Sequence, residues 1–112
     1  MIINLMTKEK YSSLEGEAYF SSPSLQEEGF IHCSSLDQVI KVANKHYKDI
    51  DPTLIVLLDE AKIEAKVVFE DLYGKGEDYP HVYGQINTSA IIGVHELERN
   101  EEGLFELPTS LK

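Results

Sequence analysis

The sequence has one cysteine, no tryptophan and few basic residues among its 112 positions. A single cysteine excludes an internal disulfide and a metal site built from several cysteines. Only ten Lys and Arg side chains face twenty Asp and Glu, which gives a net charge of −10. A surface this acidic repels the phosphate backbone, so broad DNA or RNA binding is disfavoured. A small anionic ligand stays compatible with this charge, because one pocket can be locally basic.

Long apolar runs are missing as well. The longest run, residues 54–58, is far shorter than the ~20 residues needed to cross a bilayer. The first residues lack both the basic region and the apolar stretch of a signal peptide. We therefore expect a cytoplasmic protein without a membrane segment. A length of 112 residues with 42% hydrophobic side chains predicts a single domain over residues 1–112.

Short strands and a few helices account for the pattern of apolar residues. Strands are predicted at residues 2–6, 18–20, 30–33, 54–58, 66–70, 80–83, 90–97 and 104–107. A 3.6-residue apolar stripe predicts one long helix after Ser35, and Gln38 completes a capping box with it. Two shorter helices are expected after Thr7 and Ser24. The sequence therefore predicts an α+β fold with a mixed, mostly antiparallel sheet, one long helix and two short ones.

Two short segments each place an imidazole beside a hydroxyl. Residues two apart on a strand share a face, so His32 and Ser34 lie on one side and Cys33 on the other. The same spacing puts His81 and Tyr83 on one side. Imidazoles exchange protons near neutral pH, and hydroxyls can orient a ligand. The helix that begins just after Ser34 adds free N–H groups, which predicts an anion-binding corner there.

Each candidate also has a structural interpretation. His32 could be a core histidine bonded to a carbonyl group, and His81 could fix a turn. Two other histidines are expected to be structural or surface residues: His46 and His95. The basic cluster on the long helix is expected to be a solvated face: Lys41, Lys45 and Lys48. No histidine spacing resembles a metal-binding motif, so no metal is expected. No common nucleotide-binding fingerprint occurs either.

Two blocks of the sequence resemble the family of domains of unknown function numbered 952. The first block is residues 23–34, followed on the helix by Val42-Ala43-Asn44; the second is Phe69-Glu70 with residues 79–84. The resemblance covers residues 2–97 and leaves residues 98–112 as a C-terminal extension. It implies a fold similar to ADP-ribosyltransferases and RNA 2′-phosphotransferases, which act on NAD or ADP-ribose-like ligands.

The resemblance also implies roles for individual residues. Catalytic roles fall to three of them: His32, Glu70 and His81. Ligand-binding roles fall to Asn4, Ser34 and Tyr83. Glu70 would stabilise an oxocarbenium-like ribosyl centre. One departure is Asn4, which stands where the family commonly has a first-strand histidine and which can form hydrogen bonds but cannot transfer a proton.

Three hypotheses follow for the function. The first is a small enzyme of ADP-ribosyltransferase type that acts on NAD or a related nucleotide and requires no further cofactor. The second is a non-catalytic module that binds a nucleotide or another small anion. The third is a structural or partner-binding protein, in which the histidines only fix turns and the core. The sequence leaves the acceptor and the oligomeric state open.

Overall fold

The structure, a computed structural model, describes residues 1–49 and 53–111. Its strands are β1 (Ile2–Thr7), β2 (Tyr19–Phe20), β3 (Ile31–His32), β4 (Thr53–Leu58), β5 (Lys66–Glu70), β6 (Tyr79–Tyr83), β7 (Ile86–Asn87), β8 (Ile91–Glu96), β9 (Glu98–Arg99) and β10 (Phe105–Glu106). Its α-helices are α1 (Lys8–Ser12), α2 (Pro23–Glu28) and α3 (Leu36–His46), and short 3-10 turns cover Glu60–Lys62, Thr88–Ala90 and Thr109–Leu111. No helix in these ranges is long and apolar enough to cross a membrane.

Two three-stranded sheets form the framework, with strand orders β1-β4-β8 and β3-β6-β5. They meet where Ile3 N–H donates to Ser34 O at 2.7 Å and Ser34 N–H donates to Ile3 O at 2.8 Å. The predicted α+β class, with mostly antiparallel pairing and one long helix, is confirmed. Every strand pair in the described part of the chain is antiparallel, so the parallel pairing that a mixed sheet requires is not found there.

The core lies on both faces of the first sheet, because β1 and β4 are apolar at nearly every position and buried on both sides. One cluster holds Ile2, Met6, Phe20, Ile31, Cys33, Val56, Leu58, Ile63, Val82, Ile86 and Ala90. The opposite cluster holds Ile3, Leu5, Val39, Ala43, Ile55, Leu57, Leu97 and Phe105. Alternate residues of each strand therefore serve different clusters, as the period of two requires.

Helix α3 covers the second cluster with the apolar stripe seen in the sequence. At its start, Ser35 N–H donates to Gln38 Oε1 at 3.0 Å, which is one half of the predicted capping box. Near its end, the Asn44 side chain holds β10 through both backbone groups of Phe105: it accepts from the N–H at 2.8 Å and donates to the carbonyl at 3.3 Å. The segment after residue 97 is thus packed into the core rather than appended to it.

Candidate functional site

The antiparallel pairing of β3 with β6 brings the two candidate histidines together. His32 lies directly opposite His81, and Ile31 lies opposite Val82. The two imidazole centroids are 5.5 Å apart, with ring planes nearly perpendicular at 82°. The two segments that carry the candidate histidines therefore lie side by side.

Phe30 is the apolar platform beneath both rings. It is buried and stacks on His81 with centroids 4.1 Å apart, and its edge meets His32 at 4.9 Å. The turn that delivers Phe30 depends on Gly29, whose φ of 91° ends α2 in a left-handed conformation that favours glycine. Gly29 thus directs the chain from the short helix straight into the histidine strand.

The inner unit, as we call His81, Glu70 and Tyr83, belongs to the β5–β6 hairpin. His81 is only 2% exposed, and its Nδ1 lies 2.8 Å from Glu70 Oε2. The Tyr83 hydroxyl donates to the same carboxylate oxygen. The hydrogen bonds from Tyr83 and His81 hold the pKa of the Glu70 carboxyl below its ordinary value, and the carboxylate raises the pKa of Tyr83.

The outer unit repeats this order of groups with His32, Glu28 and Tyr73. His32 Nε2 lies 2.8 Å from Glu28 Oε2, and the Tyr73 hydroxyl donates to the other carboxylate oxygen. Here the histidine side chain is 46% exposed. The hydrogen bonds from Tyr73 and His32 lower the pKa of Glu28, and the pKa of Tyr73 is raised in return.

Both histidines line one cavity of about 630 Å³, which is within the usual size range of small-molecule sites. Its ionisable lining consists of Lys41, Lys45, Lys75, Glu28, Glu77, His32, His46 and His81, together with Cys33, Tyr47, Tyr73 and Tyr79. Ser34 also lines it, as the sequence predicts. Glu70 and Tyr83 do not line it, in contrast to the position in the pocket that the resemblance implies for both.

The positive charge of the cavity is only partly neutralised. Lys41 is paired with Glu77, which raises the pKa of the lysine and lowers that of the carboxyl. Lys45 has no ion-pair partner among the described residues, and the Lys75 ammonium lies 5.7 Å from the centroid of the Tyr73 ring. Two lysines are therefore available to an anion.

The surroundings of His46 and Cys33 disfavour the charged forms of both side chains. Burial, and then the nearby Lys45, lower the pKa of His46, which favours the neutral ring. Burial raises the pKa of Cys33 to about 12. Cys33 belongs to the apolar core cluster, on the face opposite His32, so a thiolate nucleophile is disfavoured here.

Asn4 occupies the place of the first-strand histidine and has a structural bond there. Its Nδ2 donates to His32 O at 3.1 Å and lies 3.9 Å from Cys33 Sγ. The side chain lines a neighbouring pocket of about 330 Å³ rather than the histidine cavity. The two spaces share three lining residues: Leu5, His32 and Tyr47. His32 therefore stands at the junction of the two spaces.

At the start of α3, where the sequence predicts an anion-binding corner, Ser35 and Gln38 bond to each other and to the 77–78 loop. The Ser35 N–H is taken by the Gln38 side chain, and the Gln38 amide donates to Glu77 at 3.1 Å and to the Asp78 carbonyl at 2.7 Å. The cavity is lined instead by the later turns of α3 and the residue after it: Lys41, Val42, Lys45, His46 and Tyr47. The first turn is closed by its own cap and by the loop.

Several cavity residues are missed by sequence reasoning. Lys41 and Lys45 were expected to be a solvated face, as was Lys48, and only Lys48 is absent from the lining. His46 was expected at the surface and is exposed, but it lines the cavity as well. The single sequence signal for this basic wall was the i, i+4 spacing of the lysines in an otherwise acidic chain.

The remaining expectations concern His95 and a possible metal site. His95 accepts or donates a hydrogen bond of 3.1 Å with the Ser110 hydroxyl, and it does not line the cavity. Within residues 1–49 and 53–111, no three His, Cys, Asp or Glu side chains gather closely enough to hold a metal ion.

A family model described as "Protein of unknown function (DUF952)" matches residues 5–94. The chain belongs to this family. Both blocks with the candidate residues fall inside the match, apart from Asn4, which precedes it by one residue. No curated protein matches this DUF952 chain.

Solved structures of protein CC0527 from Caulobacter crescentus are similar to this DUF952 chain. The crystal structure has a TM-score of 0.82 at 19% identity, covering 94% of this chain and 92% of that one. A crystal structure of its double mutant has a TM-score of 0.81 at 19% identity with the same coverage. Its solution structure has a TM-score of 0.78 at 19% identity, covering 92% and 89%. At this identity the likeness shows a shared fold.

Proposed function

We propose that the chain binds a small phosphorylated molecule of nucleotide size in the cavity between α3, β3 and β6. The observation that carries this proposal is the presence of two uncompensated lysines, Lys45 and Lys75, in one cavity of a protein with a net charge of −10. The acidic exterior makes long polyanions unfavourable partners, whereas a compact ligand meets a lining in which three lysines face two glutamates. Tyr73 offers a half-exposed ring on which a nucleobase or nicotinamide can stack.

The lysines attract the negative charge of the ligand, and the neutral polar groups fix its orientation. A charge-assisted hydrogen bond from an ammonium to phosphate is stronger than a neutral one. His46, with its lowered pKa, offers one ring N–H and one acceptor, which suits a hydroxyl of the ligand. The cavity thus combines two cationic donors with orienting groups, which is the usual composition of a specific small-molecule site.

The test is a calorimetric titration with NAD, ADP-ribose and inorganic phosphate, with adenosine as the ligand that lacks phosphate. We expect ADP-ribose to bind and adenosine to bind at least tenfold more weakly. Lys45→Ala should weaken ADP-ribose binding about tenfold. Lys48→Ala is the matched control, because it removes the same charge near the same helix but outside the cavity.

Absence of binding by every phosphate-bearing ligand at millimolar concentration would reject the proposal. Equal losses in Lys45→Ala and Lys48→Ala would also reject it, because they would show attraction to general surface charge. In either case the structural or partner-binding hypothesis would be preferred.

A second candidate is the transfer of ADP-ribose from NAD, and one observation favours it. The buried His81 is held by a carboxylate on one ring nitrogen, an arrangement that poises an imidazole for acid–base work. Because Glu70 does not line the cavity, its role in a transferase would be to hold His81 and not to face the ribosyl centre. Release of nicotinamide from NAD, lost in Glu70→Gln, is the expected sign. Binding of ADP-ribose without any release would reject transfer and retain the binding function.

A further inference from the structure

The two histidines of the cavity are built as a matched pair. Each has one ring nitrogen against a glutamate, at 2.8 Å in both cases, and each glutamate accepts from a tyrosine. A carboxylate on one nitrogen fixes the tautomer and stabilises the imidazolium. Two such imidazoles, 5.5 Å apart in one cavity, form an arrangement that can take a proton at one point and give a proton at another.

The hydrogen bonds decide which nitrogens remain for a ligand. Glu28 engages Nε2 of His32, which leaves Nδ1, and Glu70 engages Nδ1 of His81, which leaves Nε2. Among residues 1–49 and 53–111, no side chain or backbone group forms a hydrogen bond with either remaining nitrogen. Both rings border the cavity, and the nitrogen of each ring that no glutamate engages is the one left for a bound molecule.

We propose that His32 and His81 act as general base and general acid in the cleavage of a short ribonucleotide phosphodiester. This proposal rests on the binding function proposed above. The cavity lysines would hold the phosphate. The second pocket, which meets the cavity at His32, gives the other organic group of a diester its own place.

The charge and size of the site restrict the substrate further. The negative exterior repels a long strand, and two adjoining spaces of about 630 and 330 Å³ suit a ligand with two nucleoside-sized parts. The histidines supply only proton transfer. A hydroxyl adjacent to the phosphate in the same molecule can serve as the nucleophile without a second bound molecule. Its proximity replaces a bimolecular encounter. A ribose 2′-hydroxyl meets this requirement.

The step is a transfer within the substrate that needs no oxidant or co-reactant. Neutral His32 takes the proton of the 2′-hydroxyl on Nδ1 as the oxygen forms its bond to phosphorus. The bond from phosphorus to the 5′-oxygen breaks, and imidazolium His81 gives its Nε2 proton to that oxygen. The products are a 2′,3′-cyclic phosphate and a nucleoside, and proton exchange with water restores both rings.

The solvent exposure of the two rings assigns these roles. His32 has nearly half of its side chain exposed, so it can release its acquired proton to water. His81 is 2% exposed and its Nδ1 lies against the Glu70 carboxylate, so its ring is held in one orientation from which it can act as the acid at the leaving oxygen. Glu28 and Glu70 are positioning residues, because each acts through its histidine.

The experiment uses the dinucleotide adenylyl-(3′→5′)-adenosine and chromatographic detection of adenosine and adenosine 2′,3′-cyclic phosphate. His32→Gln and His81→Asn are the informative variants, because each amide can keep the bond to its glutamate. Each should lower the cleavage rate at least ~100-fold. Binding of the 2′-deoxy dinucleotide, which lacks the nucleophile, should stay within about threefold of the wild-type value. His95→Asn, outside the cavity, should cleave like the wild type.

The proposal is overturned if the wild-type chain binds the deoxy dinucleotide and leaves the ribose form intact, an outcome that keeps the binding function. Cleavage by both histidine variants at the wild-type rate would overturn it as well, by tracing the products to another nuclease. Failure of every phosphate-bearing ligand to bind would instead remove the binding function itself.

Discussion

The inner and outer units contain the same three residue types in the same order of contact, yet they are held very differently. The inner unit lies within one hairpin, where paired strands fix both His81 and Glu70. The outer unit gathers residues from α2, β3 and the loop after β5, and its histidine is exposed. Hydrogen bonds in water contribute less than those in a buried setting, so the outer contacts are the weaker ones.

This difference gives the two imidazoles different properties: one is rigidly held and the other is accessible to solvent. The inner unit gives a fixed imidazole at the cost of solvent access, and the outer unit gives an accessible imidazole that can move. The same chemical grouping can therefore serve two purposes, and the surroundings decide which one.

The largest expected difference between the units is in stability. His81→Ala removes a buried ring stacked on Phe30 and leaves the Glu70 carboxylate without its imidazole, so we expect a loss of about 2–4 kcal/mol in the free energy of unfolding. His32→Ala removes an exposed ring, and we expect a loss below about 1 kcal/mol. Urea denaturation measures both. Equal losses would show that burial does not distinguish the two units.

A smaller difference is expected in ligand affinity. Tyr73 lines the cavity and Tyr83 does not, although both bind a glutamate. Tyr73→Ala should weaken ADP-ribose binding about fivefold, the effect of one lost stacking contact, and Tyr83→Ala less than about twofold. Calorimetric titration of both variants checks this order. A greater loss in Tyr83→Ala would place the ligand on the hairpin side of His81.

The smallest effect is in the pH dependence of folding. The pKa values of Glu70 and Glu28 are lowered from 4.5 in the folded chain, so each carboxylate binds fewer protons when folded than when unfolded. Their contribution is complete above pH 4.5 and is lost as the pH falls through the lowered folded pKa. Glu70→Gln should reduce the loss of stability on acidification more than Glu28→Gln, because Glu70 is the less exposed partner. Urea midpoints measured from about pH 6 to 3 test this, and a steeper acid loss in Glu70→Gln would contradict the sign.

The sequence alone predicts the local part of the site. The alternation that puts Cys33 in the core and turns His32 outward depends only on the period of a strand, and the structure follows it. The same holds for the apolar stripe of α3 and for the fully buried β4. Each of these features is encoded within a few neighbouring residues.

The rest of the site depends on contacts between distant segments. The pairing of His32 with His81 requires β3 to lie beside β6, and strand order is not readable from periodicity. Tyr73 reaches Glu28 from a loop whose path no local pattern specifies. The contacts at the start of α3 are also non-local, because the Gln38 side chain takes the Ser35 N–H and ties the helix start to the 77–78 loop.

The clasp of Asn44 on the backbone of Phe105 has a practical consequence for where the protein can be cut. The family match stops at residue 94, yet Phe105 is 2% exposed and packs in the cluster beneath the helix that carries the cavity lysines. A chain shortened to end at residue 94 would expose the apolar surface that Phe105 covers. It would also leave the Asn44 side-chain amide without its two backbone partners. Such a fragment should precipitate on expression, so the folding unit extends beyond the residues 5–94 that the family model matches.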